Sequence, residues 1–322
     1  MKGLRQAWAV DERGRGHLHQ AAARGGVSEV RDLLSFGADP LERSSSGTTP
    51  LHEAAACGNT ECLAALAAAC PDPDPLDDNG ATPARLAVTY DRVGCLKVLL
   101  DVGAAISKIS AGRTPVAFAV SRSSPECALL LLARGAKPGA ADRTGRHALH
   151  WAAANDLAGL FPALVAAGCE IDALDSYGMT PLALAAVEDR PAAFLAALAQ
   201  GAGANPGYDA AGLLPVHHAA MNPNPVFTEA LIGAGADVSH PDAEGVLPLM
   251  LAARCGNAGN VARLANAGAD PEAMGRCGRT ALDVAAGEAK EALRVALAQK
   301  HAAELSAALV KPSRMAAPSF SI

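Results

Sequence analysis

The chain contains 322 residues with a net charge of −6; half of them are hydrophobic, while only 3% are aromatic. This apolar fraction excludes extensive disorder, and the dominance of alanine and leucine over aromatic residues favours helices over a β-sandwich or barrel. The negative net charge argues against a protein whose whole surface binds nucleic acid, and no apolar run approaches the roughly 18 residues of a membrane span.

Residues 1–10 are predicted to be an N-terminal extension, because they precede the regular pattern that fills most of the chain. They contain no apolar core of the kind found in secretory signal peptides. Eight cysteines are present, none of them in a CxxC pair, so the spacing of a zinc site is absent. Together these features predict reduced thiols, a cytoplasmic protein and no cofactor.

From residue 11 to residue 301, one pattern recurs at steps of 32 to 34 residues. Its clearest marker is a glycine that opens each unit, at positions 14, 47, 80, 112, 145, 178, 212, 245 and 278. Nine units at one period are typical of a repeat architecture in which each unit packs on its neighbours. The first and last units depart from the pattern, as is expected of caps.

Each unit predicts two helices. Thr and Pro follow the opening glycine, as at Thr49 and Pro50, and these residue types cap and begin a helix. An apolar set with i, i+3, i+4 spacing, such as Leu96, Leu99 and Leu100, predicts the second helix. A later glycine ends that helix, and an aspartate three residues before the opening glycine favours a turn.

This unit resembles the ankyrin repeat, whose 33-residue signature reads T-P-L-H-x-A. The segment TPLHEA at 49–54 matches the signature fully, and GRTPVAFAV (112–120) and GMTPLALAA (178–186) match it in part. The resemblance implies an all-α solenoid of stacked helix-turn-helix units with projecting β-hairpin loops, occupying 11–301. Residues 302–322 are expected to form a C-terminal tail that begins helical and is partly disordered, since prolines and serines end it.

Nine histidines raise the alternative of a metal or catalytic site. Four of them, His19, His52, His150 and His217, stand at the histidine position of the signature, where the resemblance implies a hydrogen bond to the main chain. His147 and His150 have a spacing that metals can use, but a third ligand is missing. The phosphate-loop, GxSxG and HExxH motifs are absent. We therefore expect no enzyme activity, no metal and no small-molecule substrate.

The resemblance further implies that a partner, normally a protein, meets the concave face formed by the loop tips and the exposed side of the first helices. The residues at these positions with the strongest binding chemistry are Tyr90, Arg113, Phe118, Arg122, Arg143, Arg146, Trp151 and Tyr177. Trp, Tyr and Arg are enriched in binding hot spots. For Phe118, the alternative is packing between adjacent first helices.

The charge around these positions indicates the kind of partner. Between residues 105 and 146, seven Lys or Arg accompany only two Asp or Glu, which predicts a partner with an acidic segment. Stacking of arginines and aromatics on nucleic-acid bases is the less favoured alternative. The sequence thus predicts a protein-interaction module, an adaptor or scaffold. An inhibitor or immunity-type protein that occludes an enzyme or toxin, and a structural subunit of a cytoskeletal or ciliary assembly, remain open.

Overall fold

The structure, a computed structural model, describes residues 10–109 and 112–310, with side chains up to residue 306. These residues form 18 α-helices and two 3-10 turns, Ile106–Lys108 and Ala158–Leu160. The helices are α1 (His17–Arg24), α2 (Val27–Ser35), α3 (Pro50–Cys57), α4 (Thr60–Ala69), α5 (Pro83–Thr89), α6 (Val93–Asp101), α7 (Pro115–Ser121), α8 (Pro125–Ala133), α9 (Ala148–Ala154), α10 (Phe161–Ala166), α11 (Pro181–Val187), α12 (Pro191–Ala199), α13 (Pro215–Met221), α14 (Pro225–Gly233), α15 (Pro248–Arg254), α16 (Ala258–Asn266), α17 (Ala281–Val284) and α18 (Ala289–Val310).

The helices form nine consecutive pairs, one for each predicted repeat, so the all-helical repeat fold is confirmed. Each odd-numbered helix is the first helix of its repeat and each even-numbered helix is the second. Among the early repeats, first helices pack on first helices, as α1 does on α3, and second helices pack on second helices, as α2 does on α4.

The predicted helix starts are also confirmed. Thr82 and Thr114 accept hydrogen bonds from the main-chain N–H groups of the first turn, each at 3.2 Å, and a proline follows each threonine as the first helical residue. Proline costs nothing there, because that N–H group has no partner within the helix. After α6, Gly103 adopts a φ of 95°, which only glycine reaches without strain, and the helix ends.

The predicted β-hairpin loops are present as tight turns, and none of the described residues belongs to a β-strand. In a typical turn, Asp142 N–H donates to the Arg146 carbonyl and Gly145 N–H donates to the Asp142 carbonyl, both at 2.9 Å. One further bond, Ser176 N–H to the Thr144 carbonyl at 3.0 Å, joins this turn to the next. A single bond between neighbouring turns is too little for a ladder. We call these loops the projecting turns.

The contacts divide the chain into two compact units. The first extends to Ala185 and includes Ala192–Ala202, and the second comprises Ala186–Pro191 and continues from Gly203. Each unit has an interior of alanine and leucine between its first and second helices, with Leu51 and Leu63 in the first unit and Leu249 in the second. All the residues predicted to bind a partner lie in the first unit.

The last helix, α18, crosses the boundary predicted at residue 301 and continues to Val310. The start of the predicted tail is therefore helical. Residues 311–322, and residues 1–9 of the predicted N-terminal extension, lie outside the described part of the chain.

Candidate functional site

Trp151, in the first helix α9, lies between two arginines. The guanidinium carbon of Arg113 is 4.5 Å from the centre of the Trp151 ring, and that of Arg146 is 5.4 Å from it. Both distances are within the roughly 6 Å range of cation–π attraction, for which tryptophan is the best aromatic partner. Because Trp151 remains half-buried, the stack contributes to the surface rather than to the interior.

Asp142 holds this arrangement together. Its Oδ2 accepts hydrogen bonds from Arg113 Nε at 3.0 Å and from Trp151 Nε1 at 3.2 Å. Its Oδ1 accepts bonds from the Thr144 N–H, the Thr144 hydroxyl and the Arg146 N–H, at 2.9, 2.6 and 3.2 Å. Burial by itself would raise the pKa of Asp142, but these donors outweigh burial and lower it to about 2. We call Arg113, Asp142, Arg146 and Trp151 the arginine–tryptophan cluster.

The repeat itself explains why these side chains meet. Each aspartate three residues before an opening glycine uses Oδ1 to hold the main chain of its own turn, as Asp175 does for Tyr177 and Met179. Its Oδ2 is then available to the arginine that follows the preceding opening glycine. Arg146 Nε accordingly lies 3.4 Å from Asp175 Oδ2, repeating the Arg113–Asp142 pair one repeat later.

An open cleft of about 400 Å³ adjoins the cluster and is lined by Gly112, Arg113, Asp142, Arg143 and Thr144. Arg143 is exposed at the tip of its projecting turn. Its Nε would be 4.0 Å from a Cβ atom built on Gly112, so the side chain extends back towards the preceding turn. The cleft thus presents two guanidinium groups beside a carboxylate whose oxygens already accept five hydrogen bonds.

The remaining predicted residues differ in exposure. Tyr90 and Tyr177 are 54% and 61% exposed, and Arg122 is also exposed. The hydroxyl of Ser121, the residue before Arg122, accepts a hydrogen bond from Arg113 at 3.2 Å. Arg122 is therefore one residue away from a contact of the cluster. Tyr177 is linked to the cluster through Asp175. No contact described in the structure joins Tyr90 to the cluster.

Phe118 requires a correction. It is only 8% exposed, and the Arg85 guanidinium carbon lies 5.6 Å from its ring centre, so it is not available as a binding anchor. The packing alternative is therefore correct for this residue. Phe118 lacks the indole N–H group with which Trp151 reaches Asp142.

The histidines at the signature position contact the main chain, as the resemblance implied. The Nε2 atoms of His19, His52 and His150 lie 2.9 to 3.0 Å from the carbonyl oxygens of Thr48, Ala81 and Met179. Burial lowers the pKa of His52 and of His150. Within residues 10–109 and 112–310, no three His, Cys, Asp or Glu side chains form a group able to hold a metal ion.

The sequence predicted Asp142 and Asp175 only as turn residues, and not as parts of this surface. The signal was nevertheless present, because Arg113 and Arg146 each precede by 29 residues an aspartate at a fixed position in the repeat. An arginine that directly follows an opening glycine, with an aspartate 29 residues later, predicts a salt bridge between consecutive projecting turns.

Comparison with known proteins identifies the repeat. A family model described as ankyrin repeats (3 copies) matches residues 18–110, 65–142, 116–210, 149–242 and 216–307. The chain is 40% identical over 73 residues to NF-kappa-B inhibitor delta of Mus musculus, a match covering 22% of each protein. The chain therefore spans about a fifth of that curated relative.

A solved structure is also similar. The ankyrin repeat domain of human ASB11 aligns with 88% of this chain and 98% of its own length, at 23% identity and a TM-score of 0.37. Among the described helices of the present chain, none is long and apolar enough to cross a membrane.

Proposed function

Since the chain belongs to the ankyrin repeat family, whose repeats generally mediate protein–protein interaction, we propose that it is a non-enzymatic adaptor or scaffold that binds a protein partner. The observation that carries this proposal is the arginine–tryptophan cluster. It holds a tryptophan and two arginines, residue types enriched in hot spots, in one fixed arrangement on a half-buried surface. Side chains that are already ordered lose less entropy when a partner binds.

The proposed binding face extends from the cluster to its exposed neighbours. Arg122 and Arg143 contribute charge, while Tyr177 and the more distant Tyr90 contribute apolar surface with a polar tip. Phe118 is excluded from this face because it is buried. The face therefore consists of the projecting turns and first helices of the repeats that begin at Gly80, Gly112, Gly145 and Gly178.

The partner that suits this face carries an acidic segment. Arg122 and Arg143 are exposed cations that steer an acidic chain during encounter. Asp142 opposes such a chain only weakly, because its charge is surrounded by donors from Thr144, Arg113, Arg146 and Trp151. We place this interaction in the cytoplasm, where the chain's eight free cysteines would remain reduced.

The second candidate is an inhibitor that occludes another protein. What favours it is the 73-residue similarity to NF-kappa-B inhibitor delta, which by its name inhibits NF-kappa-B. Both candidates use the same binding face. They differ in whether the bound partner keeps its activity, which an assay of the captured partner decides.

The test is a double charge reversal, Arg122→Glu with Arg143→Glu, in the full chain. Neither residue belongs to the interior, so the fold is retained, and partner binding is expected to weaken roughly tenfold or more. The matched control, Arg31→Glu with Arg254→Glu, reverses two exposed arginines outside the face and leaves binding unchanged. Affinity purification with quantitative mass spectrometry measures both variants.

Equal recovery of the partner by the test and control variants would contradict the proposed face. Recovery that depends on nucleic acid, detected by loss after nuclease treatment, would contradict a protein partner. The captured partner is then assayed with and without the chain to separate a scaffold from an inhibitor.

A further inference from the structure

The second compact unit contains a segment whose charge is opposite to that of the proposed binding face. From Gly203 to Ala253 the sequence has five Asp or Glu and no Lys or Arg, although the whole chain has 27 basic residues. The entire segment belongs to the second unit. Because opposite charges steer encounter, this segment suits a cationic ligand and not the acidic segment that suits the first unit.

Two rings in this segment join consecutive projecting turns. Tyr208 is four residues before its opening glycine, and His240 is five residues before the next one. At either position, the other eight repeats have neither an aromatic residue nor a histidine. The Tyr208 hydroxyl lies 2.9 Å from His240 Nε2, and the two ring centres are 5.2 Å apart. The ring pair is therefore peculiar to this place in the chain.

Tyr208 is exposed and yet held in place. Besides the contact with His240, its loop is fixed by Asn205, whose Oδ1 accepts from the Asp237 N–H at 3.0 Å and whose Nδ2 donates to the Gly235 carbonyl at 3.2 Å. Tyr208 nevertheless remains 53% exposed. An exposed aromatic side chain that is already ordered loses little entropy when a ligand packs on it.

A carboxylate lies beside the ring pair. Asp237 Oδ2 is 3.7 Å from His240 Nδ1, so the imidazole connects the tyrosine to this carboxylate. The Ser239 N–H and hydroxyl donate to Asp237 Oδ1 at 3.0 and 2.7 Å and lower the pKa of Asp237. Because the Asp237 side chain is 49% exposed, its negative charge can be reached from solvent.

The first unit shows what such a ring and carboxylate bind. There, Arg113 lies over the Trp151 ring and donates to Asp142 Oδ2, so the chain itself supplies the guanidinium group. Among the described residues, no Lys or Arg side chain pairs with Tyr208 or Asp237. The second unit therefore offers an exposed ring and a carboxylate without the cation that completes the cluster of the first unit.

We propose that Tyr208, His240 and Asp237 form a docking site for an extended, arginine-containing segment of a partner protein. One guanidinium group stacks on the Tyr208 ring and a second pairs with Asp237, because side chains two residues apart on an extended chain point to the same side. Arginine suits both places better than lysine, since its planar group stacks on rings and bonds carboxylates. This site lies outside the proposed binding face, so its failure leaves the proposed function unaffected.

The test measures binding of a defined probe to the full chain. The probe is the rhodamine-labelled hexapeptide acetyl-Gly-Arg-Gly-Arg-Gly-Arg-amide, followed by fluorescence anisotropy. We expect saturable binding that weakens as the salt concentration rises. Tyr208→Ser is expected to weaken binding roughly fivefold or more, whereas Tyr208→Phe, which keeps the ring, changes it by about twofold at most. A probe with lysine in place of arginine should bind more weakly.

Matched controls make the result specific to this site. Met274→Ser removes a 70% exposed side chain four residues before another opening glycine of the same unit, and should leave probe affinity unchanged. Asp237→Asn is expected to weaken binding roughly threefold, whereas Glu229→Gln, which removes the same charge from helix α14, should not. Circular dichroism verifies that each variant keeps its helices.

Four results would overturn the proposal. The first is no saturable binding of the arginine probe at low salt. The second is equal affinity for the unmodified chain and Tyr208→Ser, since the probe would then bind elsewhere. The third is an equal loss for Tyr208→Phe and Tyr208→Ser, which would rule out stacking on the ring. The fourth is self-association in sedimentation velocity that Tyr208→Ser abolishes, which would show that a second copy of the chain occupies the site.

Discussion

Trp151 and His218 stand at the same position in two repeats, six residues after the opening glycine, and each contacts the aspartate of its own projecting turn. Trp151 Nε1 donates to Asp142 Oδ2 at 3.2 Å, and His218 Nε2 lies 2.9 Å from Asp209 Oδ2. The repeat thus builds the same ring-to-carboxylate contact twice, once in each compact unit.

The two sites differ in what surrounds the ring. Arg146 directly follows the opening glycine of the repeat that contains Trp151, whereas Leu213 has that position in the repeat that contains His218. Trp151 is therefore flanked by arginines and stays half-exposed, while His218 is buried. The aspartate therefore supplies the architecture in both repeats, and the residue after the opening glycine decides whether the ring stays at the surface or becomes part of the interior.

The largest expected effect follows from removing the aspartates. Asp142 accepts five hydrogen bonds, whereas Asp209 accepts bonds from Ala211 N–H, Leu213 N–H and His218. Since unsatisfied donors cost about 1–3 kcal/mol, we expect Asp142→Ala to lower the free energy of unfolding by about 3 kcal/mol and Asp209→Ala by about 2 kcal/mol. Urea unfolding followed by circular dichroism measures both. A larger loss of unfolding free energy for Asp209→Ala than for Asp142→Ala would contradict this difference between the two sites.

A smaller expected effect is a difference between the two sites in how the free energy of unfolding depends on pH. Burial lowers the pKa of His218 below its ordinary value, despite the opposing influence of Asp209. Below about pH 6.5 the unfolded chain therefore binds this proton more readily than the folded chain, and stability falls as the pH falls. We expect His218→Gln to make the dependence of unfolding free energy on pH shallower between pH 7 and 5.

The matched control at the other site is Trp151→Phe, which removes no titratable group. Its pH dependence over the same range should equal that of the unmodified chain, even if its absolute stability is lower. An unchanged slope for His218→Gln would show that His218 does not contribute through a lowered pKa.

The smallest expected effect concerns the backbone beside the arginine–tryptophan cluster. Ser123, next to Arg122, has a φ of 57°, in the left-handed region, whereas Gly58 and Gly256 stand at the corresponding positions of other repeats. Ser123→Gly relieves this strain and is expected to stabilise the chain by about 0.5–1 kcal/mol. Thermal unfolding measures the gain.

The same variant separates stability from binding, because it changes stability without altering a side chain of the proposed binding face. Partner affinity should stay as it is in the unmodified chain. The reverse change, Gly58→Ser, should destabilise the chain, since the new side chain would meet both the left-handed backbone and Arg92. A loss of stability on Ser123→Gly would contradict this account of the backbone.

The sequence allowed the fold to be predicted more completely than the site. The recurring Gly, Thr and Pro residues are local signals, and their consequences, such as the start of α5 at Pro83, are fixed within one turn of chain. The exposure of Phe118 and Trp151 is not determined by the sequence around each residue. Both stand six residues after an opening glycine, and only contacts with other repeats bury one and leave the other half-exposed.

The low aromatic content predicts the class of fold but not where each aromatic side chain lies. It predicted a helical chain correctly, yet three of the six phenylalanines, Phe161, Phe194 and Phe227, are wholly buried in second helices. Composition therefore cannot separate the aromatic residues of the interior from those of the surface. Their positions within the repeat and their polar neighbours do so.

Hydrogen–deuterium exchange of the full chain, with and without its captured partner, tests the proposed binding face most directly. We expect slower exchange on binding in the projecting turns at 142–146 and 175–179, and no change at 209–213. Slower exchange confined to 209–213, or unchanged exchange at 142–146 in a saturated complex, would contradict it.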